Sequence, residues 1–255
     1  MRRSRDFYDR QYLSEIYADG KYHGGDRVSW VQSLIKERFP AEPMILEIGP
    51  GRGHLQPLGN GYVGCDISIE AGRHFQKPFV CGTAEALPFD DQSFDLVISF
   101  TVLEHIIQPE VALTEMDRVL KKGGILCLDV AWRVPPWRPL GLEVRPYQNL
   151  NGHERVLKFC LPALNFLWTK AIFRLGARLL REVRFLFSNT ANSLAFIPIT
   201  PNWEEFLLPD SDAAASIDNH ACALWLHSRG FQSSLTSTVA KRVFLRCGPL
   251  LMVKA

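Results

Sequence analysis

The chain has 255 residues, of which 47% are hydrophobic and 22% are charged, and its formal net charge is +2. This length suits one sizeable α/β domain with an insertion and is short for two full domains. The composition is that of an ordinary globular protein.

The charge is unevenly distributed along the chain. Residues 41–130 hold 6 Lys/Arg and 13 Asp/Glu, whereas residues 131–187 hold 10 Lys/Arg and 3 Asp/Glu. We therefore expect an acidic body that carries a basic attachment, with different chemical partners for the two parts.

Several features favour a cytoplasmic location. The six cysteines are scattered without a C-x-x-C pair, which is typical of reduced thiols. The basic first residues are not followed by an apolar segment, so no signal peptide is predicted. The longest mostly apolar run, about 159–169, is too short to span a bilayer.

In chain order, the pattern predicts helices within residues 1–40, five strands, and an amphipathic helix at 109–120 between the last two strands. The strands are expected at 44–48, 62–66, 78–81, 94–100 and 124–130. Continuously apolar strands that alternate with helices indicate a parallel sheet covered on both faces.

The pattern of strands that alternate with helices ends after residue 130. Prolines and tryptophans cluster there, and one long helix is expected at about 161–187. A helix near 216–228 and two strands, at 231–238 and 250–254, then complete the chain as an antiparallel hairpin. We divide the chain into a helical lid (1–40), a core (41–130), a basic insertion (131–211) and a C-terminal helix with hairpin (212–255).

The most informative motif follows the first strand. Glu47 is followed by Gly49, Gly51 and Gly53, a turn at which the backbone can approach a ligand closely. The second strand ends on Asp66, where a carboxylate can accept hydrogen bonds from ribose hydroxyls. Both features suit a cationic cofactor that carries a nucleoside.

Four blocks, in this order and spacing, resemble the class I S-adenosylmethionine-dependent methyltransferases, in particular the small-molecule group called type 11. They are ILEIGPGRG (45–53), VGCDIS (63–68), GTAEALPFDDQSFDLVISFTVLEHI (82–106) and RVLKKGGILCLDV (118–130). The resemblance implies a Rossmann-like α/β fold with a seven-stranded, mostly parallel sheet, an antiparallel C-terminal hairpin strand, and a helical insertion before the last helix. It also implies S-adenosylmethionine as cofactor and S-adenosylhomocysteine as product.

The resemblance also implies roles for individual residues. The methionine part of the cofactor would lie against Glu47 and the turn of Gly49, Pro50, Gly51 and Gly53. The ribose would bind Asp66, the adenine would contact Ile67 and Ala84, and Phe100 and Thr101 would flank the reacting methyl group. Thr83 departs from the family, which usually has aspartate there, so Thr83 or Glu85 would bind the adenine amino group and the binding would be weaker.

A nicotinamide dinucleotide fold is the rival interpretation. It requires G-x-G-x-x-G/A, but the last position counted from Gly49 is His54. Asp66 also follows Gly51 by only fifteen residues, where that fold expects about 20.

The catalytic residues are less well defined. A hydroxyl acceptor usually needs a general base, and His105 after the fourth strand and His153 in the insertion are the candidates. A structural role for each is the alternative; for His105 it is to tie the following helix to the sheet. His23, Asp210, Asp212 and His220 are also expected to overhang the pocket. The histidines have no ligand spacing with cysteine or carboxylate, so no metal site is predicted.

Lys170, Arg174, Arg178, Arg181 and Arg184 recur at helical spacing within 161–187. We expect this stripe to face one of three surroundings: solvent, an anionic or carrier-linked acceptor, or an anionic membrane at the inner face of the cell. No nucleic-acid-binding module accompanies it. We expect O-methylation of a sugar, a carrier-linked saccharide or a secondary metabolite. The alternatives are a lipid or quinone-like acceptor at a membrane surface, and a non-catalytic module that binds S-adenosylmethionine.

Overall fold

We describe a computed structural model of the chain for residues 2–14, 27–131, 133–169, 171–187, 193–233, 235–244 and 248–255. Its helices are α1 (Arg2–Leu13), α2 (Arg27–Arg38), α3 (Pro109–Val119), α4 (Gly152–Thr169), α5 (Ala171–Phe187), α6 (Asn219–His227) and α7 (Val239–Val243). Its strands are β1 (Ile45–Ile48), β2 (Tyr62–Asp66), β3 (Phe79–Cys81), β4 (Phe94–Phe100), β5 (Leu120–Asp129), β6 (Ile197–Pro198), β7 (Ala215–Ser216) and β8 (Leu250–Val253).

The main sheet has the strand order β3-β2-β1-β4-β5-β8. Strands β1 to β5 pair in parallel, and β8 pairs antiparallel with β5, so that Ile125 lies opposite Val253. The strand order reverses between β1 and β4, because β2 and β3 lie on one side of β1, and β4 and β5 lie on the other. In sheets of this kind, a ligand crevice forms where the strand order reverses, beyond the carboxyl ends of the strands.

Alternate residues of the central strands face two different hydrophobic layers. Leu46 of β1 packs with Met116 of α3 and Trp225 of α6, whereas Ile45 packs with Val31 of α2. Both faces of β1 are therefore buried, which explains why the strand is apolar apart from Glu47.

The predicted fold class is confirmed, but the strand count is wrong. Within the described residues the main sheet has six strands, because most of segment 231–238 is not a strand. Only Gln232 forms a bridge, to Val253, and α7 follows. Thr238 caps α7 by accepting a hydrogen bond from the backbone amide of Lys241. Hydroxyl side chains that bond the local backbone compete with strand pairing in this way.

Three predicted boundaries also change. The helix expected at 161–187 is two helices, α4 and α5, and the first begins at Gly152. Strand β5 begins at Leu120, so residues 121–123, which were expected to separate the helix at 109–120 from the strand at 124–130, lie inside the strand. The helix expected from residue 216 begins at Asn219, after the short strand β7. No helix of the described residues combines the length and apolar character needed to cross a bilayer.

The basic stripe of α5 does not form one exposed face. Arg178 is buried and donates to the carbonyl of Val243 at 2.8 Å. Arg181 donates to both carboxylate oxygens of Asp218 at 3.2 Å. Arg184 is exposed, and the side chains of Lys170 and Arg174 lie outside the described residues. The arginines at 178 and 181 therefore attach the insertion to the C-terminal part of the chain.

Asp218 holds this attachment together. Its carboxylate is 2% exposed, binds Arg181 and accepts a hydrogen bond at 2.9 Å from the backbone amide of Ala221, which caps α6. We expect Asp218→Ala to lower the free energy of unfolding by about 3–5 kcal/mol, because it leaves buried arginine charge without its partner.

Urea denaturation measures this loss, with Asp218→Asn as the matched variant. Asn keeps a cap acceptor but removes the charge, so its loss should be smaller. A loss in Asp218→Ala no larger than the ~1 kcal/mol of a helix cap alone would contradict the assigned role.

Candidate active site

A cavity of about 510 Å³ lies beyond the carboxyl ends of β1, β2 and β4. It is bounded on one side by α1 and on another by the insertion. Its lining includes Ser4, Tyr8, Tyr12, Ile48, Gly49, Gly51, Arg52, Cys65, Asp66, Ile67, Gly82, Thr83, Ala84, Glu85, Phe100, Thr101, Val102, His105, Ile106, Ile107, Gln108, Ala131, Trp203, Phe206, Pro209, Asp210 and Asp212.

The turn after β1 requires glycine for two reasons. Gly49 and Gly51 have φ angles of 66° and 56°, which L side chains rarely adopt. A Cβ added at Gly49 would lie 2.3 Å from Cγ2 of Val102, and one at Gly51 would lie 3.2 Å from the hydroxyl of Tyr12. The backbone amide of Gly49 bonds the carbonyl of Cys65 at 2.9 Å, which fixes the turn against β2.

Asp66 lines the cavity at the end of β2 and is 6% exposed. Its two carboxylate oxygens accept hydrogen bonds from the backbone amides of Ser68, at 2.9 Å, and Gly51, at 3.3 Å. Burial raises the pKa of Asp66 to about 6, and these two amides oppose the shift. The carboxylate therefore connects the glycine turn with the second strand.

Glu47 does not line the cavity, although the sequence suggested it as a ligand-binding residue. Its carboxylate is 6% exposed and accepts a hydrogen bond from the hydroxyl of Tyr62 on the neighbouring strand. Burial raises the pKa of Glu47 to about 7, although the hydrogen bond from Tyr62 acts to lower it. In this structure Glu47 joins two strands beneath the glycine turn.

Residues after β3 and β4 also line the cavity. The hydroxyl of Thr83 lies 3.3 Å from a carboxylate oxygen of Glu85, whose other oxygen accepts from the backbone amide of Gln108 at 3.1 Å. Phe100 ends β4 and packs beneath the guanidinium of Arg27.

Helix α1 covers the cavity. The guanidinium of Arg5 donates to the carbonyl of Ile67 at 3.1 Å, and the hydroxyl of Tyr8 donates to Asp212 at 2.6 Å. Tyr8 and Tyr12 both line the cavity, which places them where the predicted lid would contact a ligand. Tyr17 and Tyr22 lie outside the described residues.

His105 lies among three carboxylates at the end of the cavity that the insertion covers. Its Nδ1 is 3.0 Å from Asp212, and its Nε2 is 3.9 Å from both Glu104 and Asp210. Burial alone lowers the pKa of His105, but the charges of Asp212, Glu104 and Asp210 reverse the shift and raise it to about 10. The imidazole is then protonated at neutral pH, which argues against the predicted role of general base.

Backbone hydrogen bonds bring these residues together. The amide of Ala214, just after the insertion, donates to the carbonyl of Glu104 at 2.8 Å, and the amide of Ala131 donates to the Glu104 carboxylate at 3.1 Å. These bonds place Asp210, near the end of the insertion, and Asp212, at the start of the C-terminal part, against His105, more than a hundred residues earlier in the chain.

The structure brings most of the predicted site residues together at the cavity. Those are Gly49, Gly51, Asp66, Ile67, Thr83, Ala84, Glu85, Phe100, Thr101 and His105. Four others do not line it: Glu47, Pro50, Gly53 and His153. His153 is exposed near the start of α4.

Of two further histidines named from the sequence, one is described by the structure and does not line the cavity. His220 is buried, with Nε2 3.2 Å from Glu182, and His23 lies outside the described residues. Trp203 and Phe206 of the insertion line the cavity but were not among the predicted site residues. The clustering of tryptophans in the insertion was the only sequence signal that pointed to them.

Comparison with known proteins agrees with this geometry. Residues 46–128 match the family described as "Methyltransferase domain". Residues 46–128 form a class I methyltransferase domain. It contains Asp66 and the glycine turn, whereas α1 and the insertion lie outside the matched range.

Individual relatives cover only part of the chain. An uncharacterized protein of Methanocaldococcus jannaschii is 38% identical over 131 residues, 50% of this chain and 51% of the relative. The demethylmenaquinone methyltransferase of Corynebacterium efficiens is 37% identical over 112 residues, 40% of this chain and 48% of the relative. The chain thus spans about half the length of the curated relatives it matches.

Among solved structures, that of the Bacillus subtilis protein YcgJ is 29% identical and has a TM-score of 0.37. The alignment covers 41% of this chain and 52% of that protein.

The turn of the methyltransferase domain can be tested with two glycines. Gly123 has a φ of 75° but no atom within 4 Å of an added Cβ, so Gly123→Ala should cost only the backbone penalty of about 1–2 kcal/mol. Gly49→Ala adds the clash with Val102 and should cost about 1–3 kcal/mol more in free energy of unfolding.

Urea denaturation of both variants measures the difference. Adding Val102→Ala to Gly49→Ala should recover part of it, since the clashing methyl groups are removed. Equal losses in the two single variants would show that Val102 does not restrict the turn.

Proposed function

We propose that the chain is an S-adenosylmethionine-dependent methyltransferase that acts on a small hydroxylated molecule. The observation that carries the proposal is the shared cavity: Asp66 and the glycine turn line one part of it, and the aromatic and acidic residues of α1 and the insertion line another. A donor and an acceptor can therefore occupy adjoining space.

The residues present fit the cofactor. The Asp66 carboxylate accepts two backbone hydrogen bonds and has acceptor capacity left for ribose hydroxyls. Gly49 and Gly51 leave the backbone accessible, and Ile67 and Ala84 supply apolar surface for a base. Thr83 and Glu85 offer oxygens to an exocyclic amino group. When bound, S-adenosylmethionine supplies an electrophilic methyl group on a sulfonium.

The acceptor end favours a ring that carries hydroxyl groups. Tyr8, Trp203 and Phe206 supply aromatic surface, while Asp210 and Asp212 supply hydrogen-bond acceptors. This combination suits a sugar, a carrier-linked saccharide or a hydroxylated secondary metabolite. What the chain contributes to catalysis is chiefly the positioning of the acceptor oxygen against the donor.

Asp66→Asn should weaken binding of S-adenosylhomocysteine by about 1–3 kcal/mol, because the hydrogen bonds to the ribose lose their charged partner. Isothermal titration calorimetry measures the change, and Asp90→Asn, an exposed aspartate outside the cavity, is the control. Unchanged affinity in Asp66→Asn would contradict the assignment to the ribose.

The same binding should depend on pH. The pKa of Asp66 is raised to about 6, and the ribose is expected to bind the ionised carboxylate, so affinity should fall as pH drops below about 6 and level off above it. Calorimetry from pH 5 to 8 tests this, and Asp66→Asn should flatten the profile. A wild-type profile that matches that of the variant would contradict it.

Turnover distinguishes the enzyme from a non-catalytic binding module. Incubating the purified chain with S-adenosylmethionine and a metabolite extract should add the mass of one CH₂ to an acceptor, and Asp66→Asn should reduce this. Cofactor binding without any methylated product, across extracts of sugars, lipids and quinones, would favour the binding module.

A lipid or quinone-like acceptor at a membrane surface is a second candidate, favoured by the outer face of α5. That face exposes the apolar side chains of Leu179, Leu180, Val183, Leu186 and Phe187, the last of which is 85% exposed. Residues 155–187 include seven Lys/Arg and only one acidic residue, Glu182, which is buried. An apolar helix face with basic surroundings suits the interface of an anionic bilayer. The relative from Corynebacterium efficiens is named for a quinone-type substrate, which agrees with this candidate.

Sedimentation with vesicles tests the second candidate. The chain should sediment with phosphatidylglycerol vesicles and much less with phosphatidylcholine vesicles, because the attraction is partly electrostatic. The double variant Leu180→Glu/Phe187→Glu should remain in the supernatant, whereas Val111→Glu, which changes an exposed residue of α3, should behave as wild type. Wild-type chain that stays in the supernatant with both vesicles would exclude the membrane surface.

A further inference from the structure

We propose that Glu104, His105 and Asp210 bind one divalent cation, Mg²⁺ or Mn²⁺, at the acceptor end of the cavity. The inference deepens the proposed function and rests on it, because the cation would hold neighbouring hydroxyl groups of the acceptor beside the methyl donor. The predicted absence of a metal site came from ligand spacing in the sequence, and the insertion brings Asp210 to the other two residues only in the folded chain.

The three side chains have the geometry of a ligand set. One possible ligand atom from each lies within 4.8 Å of the others. The Nε2 atom of His105 is 3.9 Å from Oε1 of Glu104 and 3.9 Å from Oδ1 of Asp210. Neighbouring ligands of an octahedral ion with bonds of 2.0–2.1 Å are about 3 Å apart. Closing the site therefore requires movements of about 1 Å, and Asp210 is the most exposed of the three and the freest to make them.

An unpartnered buried oxygen is the second observation. Glu104 has no exposed surface, and within the described residues its Oε2 atom has no hydrogen-bond partner. Its Oε1 atom accepts a hydrogen bond from the backbone amide of Ala131. Burying a carboxylate without compensation is costly, and a cation among these ligands would supply the missing partner.

The surroundings orient the histidine as a ligand. Asp212 lies 3.0 Å from Nδ1 of His105 and itself accepts a hydrogen bond from Tyr8, so the opposite nitrogen, Nε2, points between Glu104 and Asp210. Histidine ligands of metals are commonly fixed by a carboxylate on their other nitrogen. Three carboxylates surround one imidazole, and this excess of negative charge favours a dication, whose binding displaces the proton from Nε2 of His105. Two oxygen ligands and one nitrogen, without thiolate, suit a hard ion.

The site defines a class of acceptor. His105 and Asp210 line the cavity, so coordination positions on that side are open to two oxygens of one molecule, as in a vicinal diol or a catechol. A bound cation lowers the pKa of a hydroxyl group that it ligates, which removes the need for a histidine base. In the transfer, the hydroxyl proton passes to water in the cavity, the acceptor oxygen forms a bond to the methyl carbon, and the C–S bond of the sulfonium breaks to leave the neutral thioether.

Manganese binding tests the site directly, without an acceptor. Titration of the full chain with Mn²⁺, followed by the electron paramagnetic resonance signal of free Mn²⁺, should reveal one site per chain. Asp210→Asn should weaken its affinity at least about tenfold. Glu104→Gln should do the same, and circular dichroism checks its fold, because the residue is buried. Glu205→Gln, an exposed carboxylate of the same insertion, should bind as wild type.

The outcomes separate this inference from the proposed function. No Mn²⁺ binding at millimolar concentration, or unchanged affinity in folded Asp210→Asn, overturns the metal site. If S-adenosylhomocysteine still binds in calorimetry, the methyltransferase proposal stands without the metal site. If the folded chain binds Mn²⁺ at this site but not S-adenosylhomocysteine, the metal site stands and the proposed function fails.

Discussion

The contact between Asp66 and the backbone amide of Gly51 is the constraint on which the rest of the site depends. It joins the last residue of β2 to the turn that follows β1, across the 3.3 Å between Oδ2 and the amide nitrogen. Because the Gly49 amide also bonds the carbonyl of Cys65, the turn is fixed to β2 at two points. The carboxylate and the accessible backbone therefore face the same cavity before any ligand binds, which reduces the entropy cost of binding.

The part of the cavity around His105 is built differently. There the methyltransferase domain contributes only the segment after β4, with Glu104 and His105, and parts from outside the domain complete the wall. Tyr8 of α1 and Asp212, which directly follows the insertion, meet through a 2.6 Å hydrogen bond, so α1 and the end of the insertion are joined beside His105. The matched range therefore supplies the wall around Asp66, and parts of the chain outside it supply much of the wall around His105.

The part of the cavity around Asp66 could be predicted from the sequence because its signals are local. Strands β1 and β4 are mostly apolar, the glycine positions are fixed by φ angles, and Asp66 directly ends a strand. The part of the cavity around His105 depends on contacts between residues that are distant in the chain, such as His105 with Asp210 and Asp212. Local spacing in the sequence carries no information about such contacts. The stripe on α5 was misread for a related reason: Arg181 binds Asp218, and helical periodicity alone cannot tell a charge that faces solvent from one that has a buried partner.

The central claim is that Asp66 binds the ribose of an adenosyl cofactor. The most direct test compares S-adenosylhomocysteine with its 2′-deoxy analogue by calorimetry on the wild-type chain. The account predicts that the analogue binds more weakly by about 1–3 kcal/mol, since one charged hydrogen bond to the carboxylate is lost. Equal affinity for the two compounds, or no heat with either on folded protein, would contradict it.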